Sequence, residues 1–215
     1  MPREPWRRTE QGLGDGAVFA AQFVRAPRAT ASVWPSSTAL AAAVTDAALG
    51  PAGVTDDPVV LELGAGSGAF TAALAERLGG RGRQLAVEVN PVLAHRLAER
   101  APGVDVMPAD VAELSTLLAL RGLERVDVVV SGLGWSATRP GHADSLVPRV
   151  ARCLVAGGVF VQLAYTLTRR TGPARALERE VRECYGRVTR SDVVWRNVPP
   201  AVVLRAQGPR VGRPR

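Results

Sequence analysis

Three glycines at alternate positions, Gly64, Gly66 and Gly68, follow the β-forming run Val59-Val60-Leu61-Glu62-Leu63 with its acidic residue Glu62. A side chain at such positions would hold a ligand away from the backbone, and a tight strand-to-helix turn uses glycine's access to positive φ. The pattern marks the entry to a nucleotide-type site. It does not by itself choose the ligand: Gly64-x-Gly66-x-x-Ala69 also satisfies the dinucleotide fingerprint, so NAD and other adenosine ligands both stay open. Further acidic or small residues close later β-forming runs: Glu88, Asp110 and the segment Ser131-Gly132-Leu133.

The elements that must position these residues follow from periodicity. Phe70, Leu74 and Leu78 predict an amphipathic helix over 67–78, closed by Gly79-Gly80. A second strand is predicted over 84–89, followed by a helix that Asn90 caps and Pro91 opens. A third strand over 103–107 precedes Asp110 and Glu113, a pair resembling a capping box. Strand four spans 126–130, a helix spans about 143–154 with Pro148 kinking it or marking its first turn, and strand five spans 159–164. A helix over 172–185 and two antiparallel strands, 189–196 and 198–206, complete the pattern. Upstream, Ser36 or Ser37 caps a helix over 38–49. Strands alternating with helices imply an α/β fold with a doubly wound parallel sheet, whose ligands sit at the carboxyl ends of the strands. Glu62, Gly64, Glu88, Asp110 and residues 131–135 all fall there. The chain divides into an N-terminal extension (1–57), a catalytic domain (58–206) and a basic tail (207–215).

Composition excludes several classes. The 215 residues are 47% hydrophobic and 22% charged, with no apolar run near the roughly 20 residues of a membrane span and no signal peptide. Cys153 and Cys184 have neither metal-ligand spacing nor a disulfide framework, so no metal is expected and the default is a cytoplasmic enzyme. The net charge is +7, and the chain has arginine but no lysine, which reflects either coding bias or a preference for phosphate binding. Phe19, Phe23 and Val24, with Arg25 and Arg28 behind them, predict a helix over 16–28 that either caps the core or lies on an anionic membrane surface. His95 and Glu99, four residues apart, read as a solvated pair.

Glu62-x-Gly64-x-Gly66-x-Gly68 resembles the first motif of class I S-adenosylmethionine-dependent methyltransferases. The resemblance extends to Glu88, which matches their ribose-binding acid, and to Asp110, which matches the residue accepting from the adenine amine. The closing antiparallel pair matches the hairpin that completes their seven-stranded, Rossmann-like sheet. It implies S-adenosylmethionine as cofactor, S-adenosylhomocysteine as product, and cofactor contacts from Glu62, Gly64, Ala65, Gly66, Gly68, Glu88, Val89, Asn90, Asp110, Val111, Ser131, Gly132 and Leu133. A NAD enzyme would usually carry further parallel strands and a separate substrate domain, for which the terminal pair leaves no room.

Within that superfamily the chain is similar to small bacterial phospholipid (phosphatidylethanolamine) N-methyltransferases. The similar stretches are Phe23-Val24-Arg25-Ala26-Pro27, Ser32-Val33-Trp34-Pro35-Ser36-Ser37, residues 61–70, Ala86-Val87-Glu88-Val89-Asn90, Val130-Ser131-Gly132-Leu133 and Asn197-Val198-Pro199-Pro200-Ala201. The chain departs from the family at Gly134-Trp135, where a proline would follow the leucine, and in a longer segment from Arg169 to Tyr185. The expected reaction is in-line displacement at the sulfonium methyl, with the enzyme mainly aligning donor and acceptor. An ammonium acceptor of pKa near 10 must first lose its proton, which costs on the order of 4 kcal/mol at pH 7. His142, Tyr165 and Asp144 are the candidates to assist, and Trp34, Ser36, Ser37 and Trp135 the candidates to line the acceptor, the tryptophans as an aromatic wall or as core. Three acceptors follow: a phospholipid headgroup at an anionic membrane, a soluble small or specialised metabolite, or rRNA adenine. The last is disfavoured, since no Asn/Asp-Pro-Pro-Tyr/Phe-type tetrapeptide follows strand four, and no nucleic-acid partner is expected.

Overall fold

The computed structural model describes residues 36–50, 55–134, 145–166 and 169–210. The predicted helix over 16–28, and with it Trp34, Trp135, His142 and Asp144, lies outside the described residues. The elements run α1 (Thr38–Leu49), β1 (Val59–Leu63), α2 (Ala69–Leu78), β2 (Arg83–Glu88), α3 (Pro91–Arg100) and β3 (Asp105–Pro108). A short 3-10 turn (Val111–Glu113) then leads into α4 (Leu114–Ala119), β4 (Val126–Ser131), α5 (Leu146–Cys153), β5 (Leu154–Tyr165), α6 (Gly172–Cys184), β6 (Tyr185–Arg190) and β7 (Ala201–Pro209). The seven strands form one sheet in the order β3-β2-β1-β4-β5-β7-β6. Neighbours from β3 to β5 are parallel, and β7 is antiparallel to both β5 and β6. This is the predicted doubly wound, mostly parallel sheet with an antiparallel end.

Apolar layers cover both faces, which is why the central strands read as continuous hydrophobic runs. On one face Leu40, Val44, Phe70 and Leu74 of α1 and α2 pack on Val60, Val128, Val130, Val161 and Val203. On the other, Leu114, Leu117, Val147, Val150, Leu177 and Val181 pack on Leu61, Leu63, Leu85, Val129 and Phe160. The helix starts obey their caps. The Ser37 hydroxyl accepts from the Leu40 N–H at 3.2 Å, and the Asn90 side-chain Oδ1 accepts from the Val92 and Leu93 N–H groups just after Pro91.

Several boundaries differ from expectation; β2 and β3 shift by one or two residues, to Arg83–Glu88 and Asp105–Pro108. Helix α2 begins at Ala69, because Gly68 has left-handed φ 84° and cannot belong to it. Helix α5 ends at Cys153, and Pro148 sits in its first turn, where a missing N–H breaks no intrahelical bond. Strand β5 starts at Leu154, five residues early, through an irregularity opposite Val126–Val128 that leaves Ala156 and Gly157 exposed. The terminal pair is shifted most: β6 occupies Tyr185–Arg190 instead of 189–196, and β7 occupies Ala201–Pro209 instead of 198–206. The apolar pair Val193-Val194 suggested a strand, but the chain leaves the ladder at Ser191 and only Val194 bridges back, to Ala201. As an edge strand β6 pairs on one side only, so it tolerates exposed Arg187 and Arg190 and shows no clean alternation.

Candidate active site

The carboxyl ends of β1, β2 and β4 are tied together by backbone bonds that continue the ladders into the loops. Gly64 and Ala65 donate to the Val87 carbonyl at 2.8 and 3.2 Å, and Gly132 donates to the Leu63 carbonyl at 3.0 Å. Gly64, Gly66 and Gly68 have φ of 72°, 54° and 84°, a region that L side chains rarely adopt. At Gly64 the approach is also close: a Cβ there would lie 2.5 Å from Leu133 Cδ2. The glycine turn and the loop after β4 therefore touch, and together they leave backbone at the mouth of the crevice.

Two buried carboxylates stand beside that turn. Glu88 accepts from the Gly66 N–H at 2.8 Å through Oε2 and from the Asn90 N–H at 2.9 Å through Oε1. Burial pushes its pKa up and these N–H groups pull it back. Each oxygen retains a lone pair for a further donor, such as a hydroxyl. Glu62 is 0% exposed; its Oε2 accepts from the Thr71 hydroxyl at 2.6 Å, while Oε1 has no hydrogen-bond partner. Burial pushes Glu62 up to about 8, the Thr71 bond opposing this and the Glu88 charge adding to it. An orphaned buried carboxylate oxygen is costly unless a donor arrives, and a cationic donor suits it best.

The remaining predicted contacts have varied surroundings. Asp110 is exposed and caps the 3-10 turn, its Oδ1 accepting from the Ala112 N–H at 2.7 Å and its backbone carbonyl from the Glu113 N–H at 2.9 Å. Val89 is 49% exposed and Val111 half-buried, apolar surface of the kind a flat ring can cover. Ser131 is buried and its hydroxyl accepts from the Leu133 N–H at 3.4 Å. Ser36 is half-buried and lines a groove of about 420 Å³ between α1 and α2, with Ala41, Ala69 and Ala73. Ser37 is engaged twice, its hydroxyl as the cap of α1 and its N–H donating to Asn197 Oδ1 at 2.9 Å. Tyr165 is half-buried at the end of β5.

Several supporting residues were not singled out from sequence. Gln162, fully buried in β5 opposite Ser131, donates its amide to the carbonyls of Leu133 (2.9 Å), Leu163 (2.9 Å) and Ser131 (3.4 Å). Its only sequence signal is a polar residue inside an apolar run. Arg100 donates to the Ser67 carbonyl at 2.8 Å, and Arg149 to the carbonyls of Val111 and Ala112, so two arginines brace the loops after β1 and β3. Among the described residues no cluster of three or more His, Cys, Asp or Glu is suited to a metal.

Residues 60–158 match a family described as a methyltransferase domain. The chain is 32% identical over 159 residues, covering 70% of this chain and 78% of the relative, to an ornithine lipid N-methyltransferase of Singulisphaera acidiphila. Among solved structures it resembles a precorrin-6y C5,15-methyltransferase of Geobacter metallireducens, with TM-score 0.56, 22% identity, and coverage of 78% of this chain and 88% of that one. It also resembles Aeropyrum pernix fibrillarin in complex with natively bound S-adenosyl-L-methionine, with TM-score 0.54, 22% identity, and coverage of 78% and 73%.

Proposed function

The chain belongs to the class I S-adenosylmethionine-dependent methyltransferases, and from that premise we propose that its acceptor is an amine on a membrane-lipid headgroup, phosphatidylethanolamine or a related aminolipid. The observation that carries the acceptor is the 32% identity, over most of both chains, to a relative named for N-methylation of ornithine lipid. The net charge of +7 agrees with an anionic membrane as the place of work.

The residues present fit the cofactor on two counts: Glu62 Oε1 is a buried acceptor without a donor, and Gly64, Gly66 and Gly68 take left-handed φ that leaves the turn without side chains. When bound, S-adenosylmethionine supplies an electrophilic methyl group on a sulfonium. Glu88, already held by two backbone N–H groups, accepts from the ribose hydroxyls through its free lone pairs. Glu62 would offer Oε1 to the cationic amino-acid end, and Val89 and Val111 would supply apolar surface for the base, with Asn90 and Asp110 fixing the backbone beside them by their caps. Ala65, Gly66 and Gly68 would let the cofactor approach the backbone of the turn, and Ser131, Gly132 and Leu133, in the loop that abuts it, would hold the cofactor's other side. The acceptor amine must arrive neutral; Tyr165 and His142 are the groups assigned to its proton, and Trp34, Ser36, Ser37 and Trp135 to its surroundings.

Mass spectrometry of lipids from cells expressing the protein tests the acceptor. Mono-, di- or trimethylated aminolipid, absent from cells expressing an inactive Glu88→Ala variant, is the expected result. An unchanged lipid profile from protein that binds S-adenosylhomocysteine by calorimetry would overturn the lipid reading and leave a soluble amine as acceptor.

A further inference from the structure

Two of the most exposed large apolar side chains among the described residues, Trp195 (74%) and Val198 (72%), lie three positions apart in the connection between β6 and β7. Exposed apolar residues scattered singly need no explanation. These two are neither scattered nor on a loose loop. Asn197 between them is 3% exposed; it accepts from the Ser37 N–H at 2.9 Å and donates to the Pro199 carbonyl at 2.7 Å. The loop is thus anchored from within while Trp195, Arg196 and Val198 face solvent.

Its place in the fold matters as much. Thr166, just past the end of β5, donates to the Pro200 carbonyl at 2.9 Å from its N–H and 3.0 Å from its hydroxyl. Tyr165 pairs in register with Ala201, and Asn197 holds the start of α1 beside Ser36. The loop therefore sits at the carboxyl-end edge of the parallel strands, on the rim of the candidate active site. An indole, a branched aliphatic side chain and an exposed arginine, Arg196, suit the boundary between acyl chains and anionic headgroups, where an amphipathic ring and a cation are both favourable.

We propose that the loop 195–198 is a membrane-docking element: Trp195 and Val198 enter the interfacial layer of an anionic bilayer, and Arg196 contacts its phosphates, setting the active-site rim against the surface that carries the acceptor. This deepens the lipid-headgroup reading and rests on it for the purpose of the contact, though the contact itself is measured separately. The full-length chain and a Trp195→Ser/Val198→Ser double variant are compared by flotation with vesicles of phosphatidylglycerol and phosphatidylethanolamine, and by quenching of tryptophan emission with brominated lipid. The variant should bind vesicles at least tenfold more weakly and lose the quenching contributed by Trp195. Its melting temperature and its affinity for S-adenosylhomocysteine should be unchanged, since both side chains project from the anchored loop. A single Arg196→Gln variant should lose binding to anionic vesicles selectively. Flotation equal to that of the parent chain, or an unquenched Trp195, overturns the proposal, and the latter points to a protein partner instead. Loop-dependent vesicle binding without any methylated lipid would sustain the docking element while overturning the lipid acceptor, so the two failures are distinguishable.

Discussion

At the scale of single residues, Glu62 makes the sharpest demand. Its folded-state pKa of about 8 lies above the unfolded carboxylate value of 4.5, so between these pH values the folded state holds a proton that the unfolded state has released. Stability therefore falls as pH rises through this window, by about 1.4 kcal/mol per unit for a fully separated pair of pKa values, and the contribution levels off above the folded pKa. Glu88, also raised, adds to the same trend. The ligand-free protein should melt at lower temperature at pH 8 than at pH 5.5, and Glu62→Gln should flatten the profile. Parallel profiles for the two proteins would show that the Glu62 carboxyl is not the group involved. The design makes sense for a cationic ligand: the position is costly as an anion until a positive charge arrives beside it.

Elements transmit this geometry through contacts distant in sequence. Gln162 in β5 grips the carbonyls of Ser131 and Leu133, and Leu133 in turn abuts Gly64, so β5, the loop after β4 and the glycine turn form one braced unit. Gln162→Met keeps the volume but removes both donors. Because reacting atoms must be held near 3–3.5 Å, a shift of about 1 Å in that loop can cost about a hundredfold in rate. Gln162→Met should lower kcat at least tenfold and leave S-adenosylhomocysteine affinity within about threefold, read by turnover and calorimetry on the same preparation. An equal loss in both would assign Gln162 to the cofactor and not to alignment. The sequence exposes only part of this scaffold. Caps such as Ser37, Asn90 and Asp110 are legible because their chemistry is local, each side chain bonding a backbone N–H two or three residues on. Glu62 and Glu88 are legible because they stand at or next to the ends of strands that read as apolar runs. Thr71, Gln162 and Arg149 are not, since the bonds that brace the site reach partners 9 to 38 residues away, and a lone polar residue in an apolar run, as at Gln162, does not say which loop it holds. The position of β6 was hidden for a different reason: an edge strand with a single partner carries little alternation, while Val193-Val194 mimics a strand in a stretch whose backbone turns away from the sheet.

At the scale of the molecule, the two halves of the reaction place different demands on the chain. The donor half is built from strand ends in the middle of a rigid sheet, and its residues carry the family's pattern. On the proposed lipid reading the acceptor half meets a surface, and long-range charge should govern that encounter. A net charge of +7 without any lysine attracts an anionic bilayer over about a Debye length, roughly 10 Å at 0.1 M salt and 3 Å at 1 M. No helix among the described residues is long and apolar enough to cross a membrane, so attachment would be electrostatic approach plus shallow insertion. These two contributions separate with salt. Binding to vesicles rich in phosphatidylglycerol should fall at least tenfold between 0.05 and 0.5 M sodium chloride, roughly 1.4 kcal/mol or more. Binding to vesicles of phosphatidylcholine alone should be weak at both concentrations, because insertion of one small apolar loop cannot by itself offset the cost of association. The measurement is co-flotation of the full-length chain across a salt series. Equal binding to both vesicle types, or no dependence on salt, would show that charge does not bring this protein to its acceptor, and the arginine surplus would then be a matter of coding bias.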